Sequence, residues 1–408
     1  MIPHAKASRL HRKLSCAFFF ASALLLAISF GPFSQAQTYT ALHSFTGGSD
    51  GGQPTAGLSM DQRGNFYGTA SQGGQTQGQC GSLGCGTVFK LTRNASGWTF
   101  AVLYSFSGPD GSSPQARVVF GPDGALYGTT NDGGAYGYGA VFRLSPPPHV
   151  CARVSCPWTE TVLYSFHAGD DGQYPGYGDL TFDQAGNVYG TTSAGGDYGL
   201  GVVYELSPSS GGWSQNILHG FAGNSTDGAV PAAGVVFDSA GNLYGTTLLG
   251  GGSDNAGTIY KLTPSASGWS ESILHSFTVA SGCAEPSGGL LFDSLGNLYG
   301  TTLGQPATYE LSPSNGGWTF RVLYRFSAAT GSFAGMTMDA AGNLYGTLAL
   351  AEQEVFRLTP SDGQWTLTGF DGGLGSFPHG SVILDAGGNL YTTASEGDGD
   401  GVVFEITP

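Results

Sequence analysis

The sequence predicts an all-β fold: a seven-bladed β-propeller of four-stranded blades, the last closed by the N-terminal strand. Three observations predict it. The first is a phrase written seven times, as Gly64-Asn65-Phe66-Tyr67-Gly68-Thr69 and then from Gly124, Gly186, Gly241, Gly296, Gly342 and Gly388. The starts lie 60, 62, 55, 55, 46 and 46 residues apart, so one supersecondary unit is copied and packed against itself. The second is the content of each unit. Four short β-branched and aromatic runs are separated by Gly, Ser, Asn and Asp, which is strand chemistry with hairpin punctuation. No stretch beyond the N-terminal leader shows sustained helical periodicity, and four strands per unit is the pattern of a propeller blade. The third is a split unit. Repeat 7 ends with its third run, Val402-Val403-Phe404-Glu405-Ile406, while Tyr39-Thr40-Ala41-Leu42-His43-Ser44-Phe45 matches the fourth runs of other repeats. A ring needs its last blade completed, because an open edge leaves backbone groups unpaired. Residues 39–45 are therefore expected to pair with 402–406.

The N-terminus carries Lys6, Arg9, Arg12 and Lys13, then an apolar run from Cys16 to Phe30, then Ser34-Gln35-Ala36. This reads as a secretory signal peptide over residues 1–36, with cleavage after Ala36. Residues 37–408 are then one propeller domain. The apolar run is short for a spanning helix, and no C-terminal hydrophobic tail follows, so no membrane span is expected in the mature chain. The protein is expected to be extracellular or periplasmic, and a monomer. Removing the leader takes the formal charge from −15 to −19, which opposes nucleic-acid and anionic-lipid partners. Secretion makes two local disulfides the expectation, Cys80–Cys85 and Cys151–Cys156, with Cys283 left over. His149 beside Cys151 lacks a fourth ligand nearby, so zinc is not favoured there.

The motif set Gly-Asn-Leu-Tyr-Gly-Thr-Thr, a Gly-Gly loop, then Gly-Thr-Val-Phe-Lys-Leu (Gly86 to Leu91) resembles the bacterial GloVer tandem-repeat, or "choice-of-anchor", proteins. The resemblance covers residues 38–408. It implies an exported repeat protein, often surface-attached, and supplies no catalytic residues. The varied C-terminal attachment signals of that family have no counterpart in this sequence.

Repeated residues have structural readings first. Trp98, Trp158, Trp213, Trp269, Trp318 and Trp365 each open a fourth strand, the register that blade-to-blade packing needs. The motif tyrosines are core. Asp61, Asp183, Asp238, Asp293, Asp339 and Asp385 end first strands and suit turns, whose amides they can bind. His43, His219 and His275 stand where other repeats have Tyr104, Tyr164 and Tyr324, a half-buried aromatic position.

The loops before each blade read Asp-Gly-x-x-Pro through four repeats. By strand parity they share a face with the loops after the second strands, the longest of which runs from Ser71 to Gly84. That face is the candidate ligand surface, carrying Asp50, Asp110, Asp170, Asp171 and Asp227 interleaved with Tyr136, Tyr138, Tyr174, Tyr177 and Tyr198. Aromatic faces beside carboxylates can stack on a sugar and bond its hydroxyls. A weak Ca²⁺ site is a further candidate at Glu396, Asp398 and Asp400, alternate carboxylates in a Gly-containing loop. No other cofactor is expected. The function expected is an exported binding or scaffold module for a glycan, a cell-wall polymer or a protein. The alternatives are a lyase- or lactonase-type propeller enzyme using channel acids and histidines, and a structural surface component. Uniform repeats favour binding, since catalysis needs unique polar groups at one end of the channel.

Overall fold

The computed structural model describes residues 37–76, 79–147, 158–327, 331, 334–349, 355–370, 377–397 and 399–408. The leader, Cys151, Cys156, His149 and Asp398 lie outside these residues. Seven four-stranded antiparallel blades form a seven-bladed propeller, with Ala284–Pro286 added as a fifth strand on blade 5 and a separate two-strand pair, Gly228–Ala229 with Leu249–Gly250, in the described residues. Blade 4 shows the pattern: a short inner strand Val236–Phe237, then Leu243–Thr247, Thr258–Ser265 and the outer strand Gly268–Ser276. The second strands of most blades are buried along their whole length, because each blade is covered on both faces by its neighbours.

The ring closes as the split repeat requires. Thr38–Ser44 forms the outer strand of blade 7, pairing antiparallel with Val402–Thr407 from Thr38 opposite Thr407 to Ser44 opposite Val402. This removes an exposed edge that would otherwise present unpaired backbone groups.

Each letter of the recurring phrase has a structural task. In blade 1, Asp61 Oδ1 accepts from the backbone N–H groups of Arg63 and Asn65, both at 2.9 Å, while Oδ2 accepts from Asn65 Nδ2 and Tyr67 Oη at 2.7 and 3.2 Å. The same set recurs at Asp183, Asp238, Asp293, Asp339 and Asp385. These bonds outweigh the effect of burial and hold the Asp61 carboxyl below its ordinary pKa. Blade 2 has Gly121 at that position, and Asp123 reaches Tyr127 Oη instead, at 3.1 Å.

The tyrosine ring is then packed by the tryptophan of the next blade: Tyr189 by Trp269, Tyr244 by Trp318, Tyr299 by Trp365, at 5.9–6.5 Å between centroids. Trp98 of blade 1 packs on Tyr391 of blade 7 at 6.1 Å, so the contact runs around the ring. The motif glycine lies against an aromatic ring of the third strand. A Cβ on Gly68 would meet Phe89 Cζ at 2.5 Å, and one on Gly190 would meet Tyr204 Oη at 2.4 Å. The following threonine bonds the inner segment of the next blade, as in Thr69 to the Ala116 carbonyl (3.1 Å) and Thr393 to that of Ala56 (2.7 Å).

Candidate functional site at the channel mouth

The inner segments surround an axial cavity of about 660 Å³. Its wall is built mostly of small residues, among them Ala56, Ala116, Ala233 and Gly289. Small side chains are needed because the inner segments approach closely: a Cβ on Gly234 would lie 2.1 Å from the Asp179 carbonyl oxygen.

One position of this wall breaks the symmetry. Blades 1, 4, 5 and 6 carry Gly57, Gly234, Gly289 and Gly335 there, and blade 7 carries Ser381. Blades 2 and 3 carry Arg117 and Asp179, and the two side chains pair. Arg117 Nε and Nη2 bond Asp179 Oδ2 at 3.0 and 2.8 Å, and the Arg117 backbone N–H bonds Asp179 Oδ1 at 3.1 Å. About a third of each side chain remains exposed to the cavity, so the pair keeps donors and acceptors for a ligand. Gln115, Tyr177 and His379 also line the wall. Burial lowers the His379 pKa, opposed by the charge of Glu396.

The channel opens on the face that carries the loops after the second and fourth strands. These two loop sets pair with each other, as in Gly228–Ala229 with Leu249–Gly250 and the bridges Gly52–Gln72, Ser112–Asp132 and Gln173–Ala194. Gln53, Gln72 and Ser113 from those loops line the cavity. A ring of unusual backbone sits here. Gln53, Ser113, Tyr174, Val230, Glu285 and Phe377 each precede a proline and each has φ between +50° and +61°. This conformation costs a non-glycine residue about 1–3 kcal/mol. It is held by paired backbone bonds, such as Tyr174 N–H to the Tyr138 carbonyl and Ser193 N–H to the Tyr174 carbonyl. The proline that follows packs on the glycine opening the third strand of the preceding blade: a Cβ on Gly86 would meet Pro114 Cδ at 2.5 Å. The frame is constant while its side chains differ, presenting Gln, Ser, Tyr, Val, Glu and Phe in turn.

The sequence-predicted residues fall on this face in two groups. The aspartates are committed to the turns. Asp50, Asp110, Asp171 and Asp227 each bond a backbone N–H within their own loop, at 2.6–3.0 Å. Each also bonds the half-buried aromatic of the preceding outer strand: His43 (3.1 Å), Tyr104 (2.6 Å), Tyr164 (3.0 Å) and His219 (3.2 Å). That shared partner explains why His and Tyr interchange there. Asp170 is exposed. The tyrosines are freer. Tyr136, Tyr177 and Tyr198 are 56, 53 and 63 % exposed. Tyr138 and Tyr174 meet edge to face at 6.2 Å, and Tyr136 lies 4.5 Å from His167. Of this group the cavity takes only Tyr177 into its wall.

Glu396 and Asp400, candidates for Ca²⁺, are exposed. A disulfide joins Cys80 and Cys85. Cys283 is buried, and burial pushes its thiol up to about 11. Sequence reasoning missed Arg117, Asp179, Gln115 and His379. The signal was available in the aligned repeats, as a charge standing where four other blades have glycine.

A profile of the Gloeobacter/Verrucomicrobia repeat matches residues 30–155, 76–306 and 251–408, which together span the propeller. The chain belongs to this repeat family. No curated protein matches it significantly. Among solved structures it is similar to a chain of the mitotic checkpoint complex, at 12 % identity and a TM-score of 0.54 over 100 % of this chain and 98 % of that one. An aldose sugar dehydrogenase from Streptomyces coelicolor matches at 12 % identity and 0.45 over 91 % and 98 %. A gluconolactonase from Xanthomonas campestris matches at 15 % and 0.39 over 60 % and 74 %. At these identities the likeness shows the propeller fold alone. No helix among the described residues is long and apolar enough to cross a membrane.

Proposed function

We propose that this repeat protein is an exported binding module, and that its ligand is a polyhydroxylated polymer, a glycan or cell-wall polysaccharide, taken at the channel mouth between blades 2 and 3. The observation that carries the reading is the Arg117–Asp179 pair, placed where the other blades have glycine or serine and adjoined by Tyr177. A half-exposed tyrosine ring stacks on a sugar face, and a planar guanidinium–carboxylate pair offers hydrogen bonds to neighbouring hydroxyls. Export fits the basic and apolar leader and the Cys80–Cys85 disulfide, which belongs to an oxidising compartment.

A lactonase- or lyase-type enzyme would use carboxylates or imidazoles converging on the axis. The described wall carries one carboxylate, Asp179, with both oxygens bonded by Arg117, and one imidazole, His379. Glycan-array binding by the purified protein tests the proposal. Tyr177→Ala and Asp179→Asn should weaken the recovered interaction at least about tenfold with the melting temperature nearly unchanged. Loss of binding instead from changes on the opposite face, around Asn94 or Ser209, would refute the placement.

A further inference from the structure

The loop aspartates sit in a recurring corner. Four of these corners combine the His or Tyr of one outer strand, the Asp of the following loop, and a residue from the next blade's outer strand; the corner at His275 has the first and third but no loop Asp. That third residue differs around the ring. It is Phe100 at the blade 7–1 junction, where it stacks on His43 at 3.6 Å, and Phe320 at the 4–5 junction, where it stacks on His275 at 3.8 Å. At the 2–3 junction it is Gln215, bonded to the Asp171 carbonyl at 2.8 Å. At the 1–2 junction Glu160 faces Asp110, but Asp110 is capped by the Tyr104 hydroxyl. Among the described residues, only the 3–4 junction brings an imidazole together with two carboxylates: His219, Asp227 and Glu271.

We propose that this corner is a binding site for a first-row divalent cation of the Zn²⁺ type, clipping blade 3 to blade 4. The ligand set is one imidazole nitrogen and two carboxylate oxygens, which suits borderline metals. Bonds of about 2.0–2.1 Å to a tetrahedral ion put ligand atoms roughly 3.3 Å apart. His219 Nε2 lies 3.2 Å from Asp227 Oδ1 and 3.6 Å from Glu271 Oε2, and all three ligand atoms lie within 4.8 Å of one another. Rotating the soft terminal torsion of Glu271 closes the remaining edge.

The donors are set for this task. Asp227 is only 10 % exposed and is fixed by the N–H groups of Ala222 and Gly228 at 2.6 and 2.7 Å. Glu271 Oε1 is wholly buried and has no hydrogen-bond partner among the described residues. One imidazole proton serves one carboxylate, whereas a cation serves both. His219 is 20 % exposed, which gives an ion a route in and a place for a water as fourth ligand. His219 comes from Gly212–Gly220 and Glu271 from Gly268–Ser276, so an ion would tie two blades through their outer strands.

The test is titration of the chelator-treated protein with Zn²⁺ alone by calorimetry, and with Co²⁺ alone by visible absorption. The expected result is one equivalent bound, d–d absorption from Co²⁺, and a metal-dependent rise in melting temperature. Glu271→Gln keeps the side-chain shape, and a glutamine already stands at the equivalent position 215, so this variant should fold. It and His219→Gln should weaken binding at least about tenfold, the scale of losses around metal centres. Glu160→Gln, in the sister corner, should leave binding unchanged. Absence of stoichiometric binding by the wild-type protein overturns the proposal, and so does undiminished binding by Glu271→Gln.

Discussion

Replacing Tyr204 by Phe should stabilise the protein. Tyr204 sits on the third strand of blade 3, wholly buried, with its hydroxyl against Gly190 and its ring in one core cluster with Leu180. That hydroxyl has no hydrogen-bond partner among the described residues, and the same holds for Tyr260 and Tyr309 in blades 4 and 5. Burial alone raises the Tyr204 pKa. The other four blades carry Phe89, Phe142, Phe356 and Phe404 at this position, all buried, so the aromatic ring is accommodated without the oxygen. A buried hydroxyl left unpaired costs about 1–3 kcal/mol, and Tyr204→Phe removes that cost while forfeiting only the contacts of one oxygen. The expected gain is about 1–2 kcal/mol. Tyr204, Tyr260 and Tyr309 belong to three separate core clusters, so the triple variant should gain nearly the sum. Reversible denaturant unfolding, compared at constant m-value, measures it. A loss of stability above about 0.5 kcal/mol in each single variant would refute the reasoning, because it would mean the hydroxyls are satisfied in the folded protein.

Other expectations follow from the same contacts. Deleting residues 37–46 removes the strand paired with Val402–Thr407 and should lower the melting temperature by roughly 10 °C or more; an unchanged melting curve contradicts the closure. Burial pushes Glu160 up to about 7, with the Asp110 charge adding to it, so the native carboxyl keeps its proton while an unfolded one loses it near 4.5. Its stabilising contribution is therefore present below pH 4.5 and lost as pH rises through 7. Glu160→Gln should match the wild type at pH 4 and exceed it at pH 8 by about 1–2 kcal/mol, a figure reduced for partial solvent screening. His275 runs oppositely. Burial against Phe320 lowers it to about 4, so stability present above pH 6.5 falls away as pH drops from 6.5 towards 4, and His275→Tyr should flatten that slope in pH-dependent melts. Cys80→Ser with Cys85→Ser should cost about 1–3 kcal/mol, and mass mapping of the oxidised chain should also find Cys151 joined to Cys156.

The fold was legible because its determinants are local and repeated. Asp61, Asn65 and Tyr67 make their bonds within one turn, and five further copies of that turn leave little room for another reading. The closure was legible because a strand was missing at one end and present at the other. The candidate site was less legible. Arg117 and Asp179 are 62 residues apart and meet only because adjacent inner segments face the axis. His219 read as a substitute for tyrosine, which it is in its bond to Asp227. Its second acid, Glu271, comes from the next blade, 52 residues on. Repetition fixes what each blade does for itself, whereas chemistry between blades depends on single departures that only the ring brings together.

The clasp in blade 7 sets an order on how the protein can come into being. Its two halves are the first and last strands described, and the bond from Thr393 to Ala56 spans 337 residues. A chain emerging from its N-terminus can form blades 1 to 6 in sequence, but Thr38–Ser44 has no partner until Val402–Thr407 arrives. Until then two sheet edges stay open and the axial cavity has a gap in its wall. The closed ring should thus form in one step, when Val402–Thr407 is delivered, and a nascent chain that stops before Val402 should lack it.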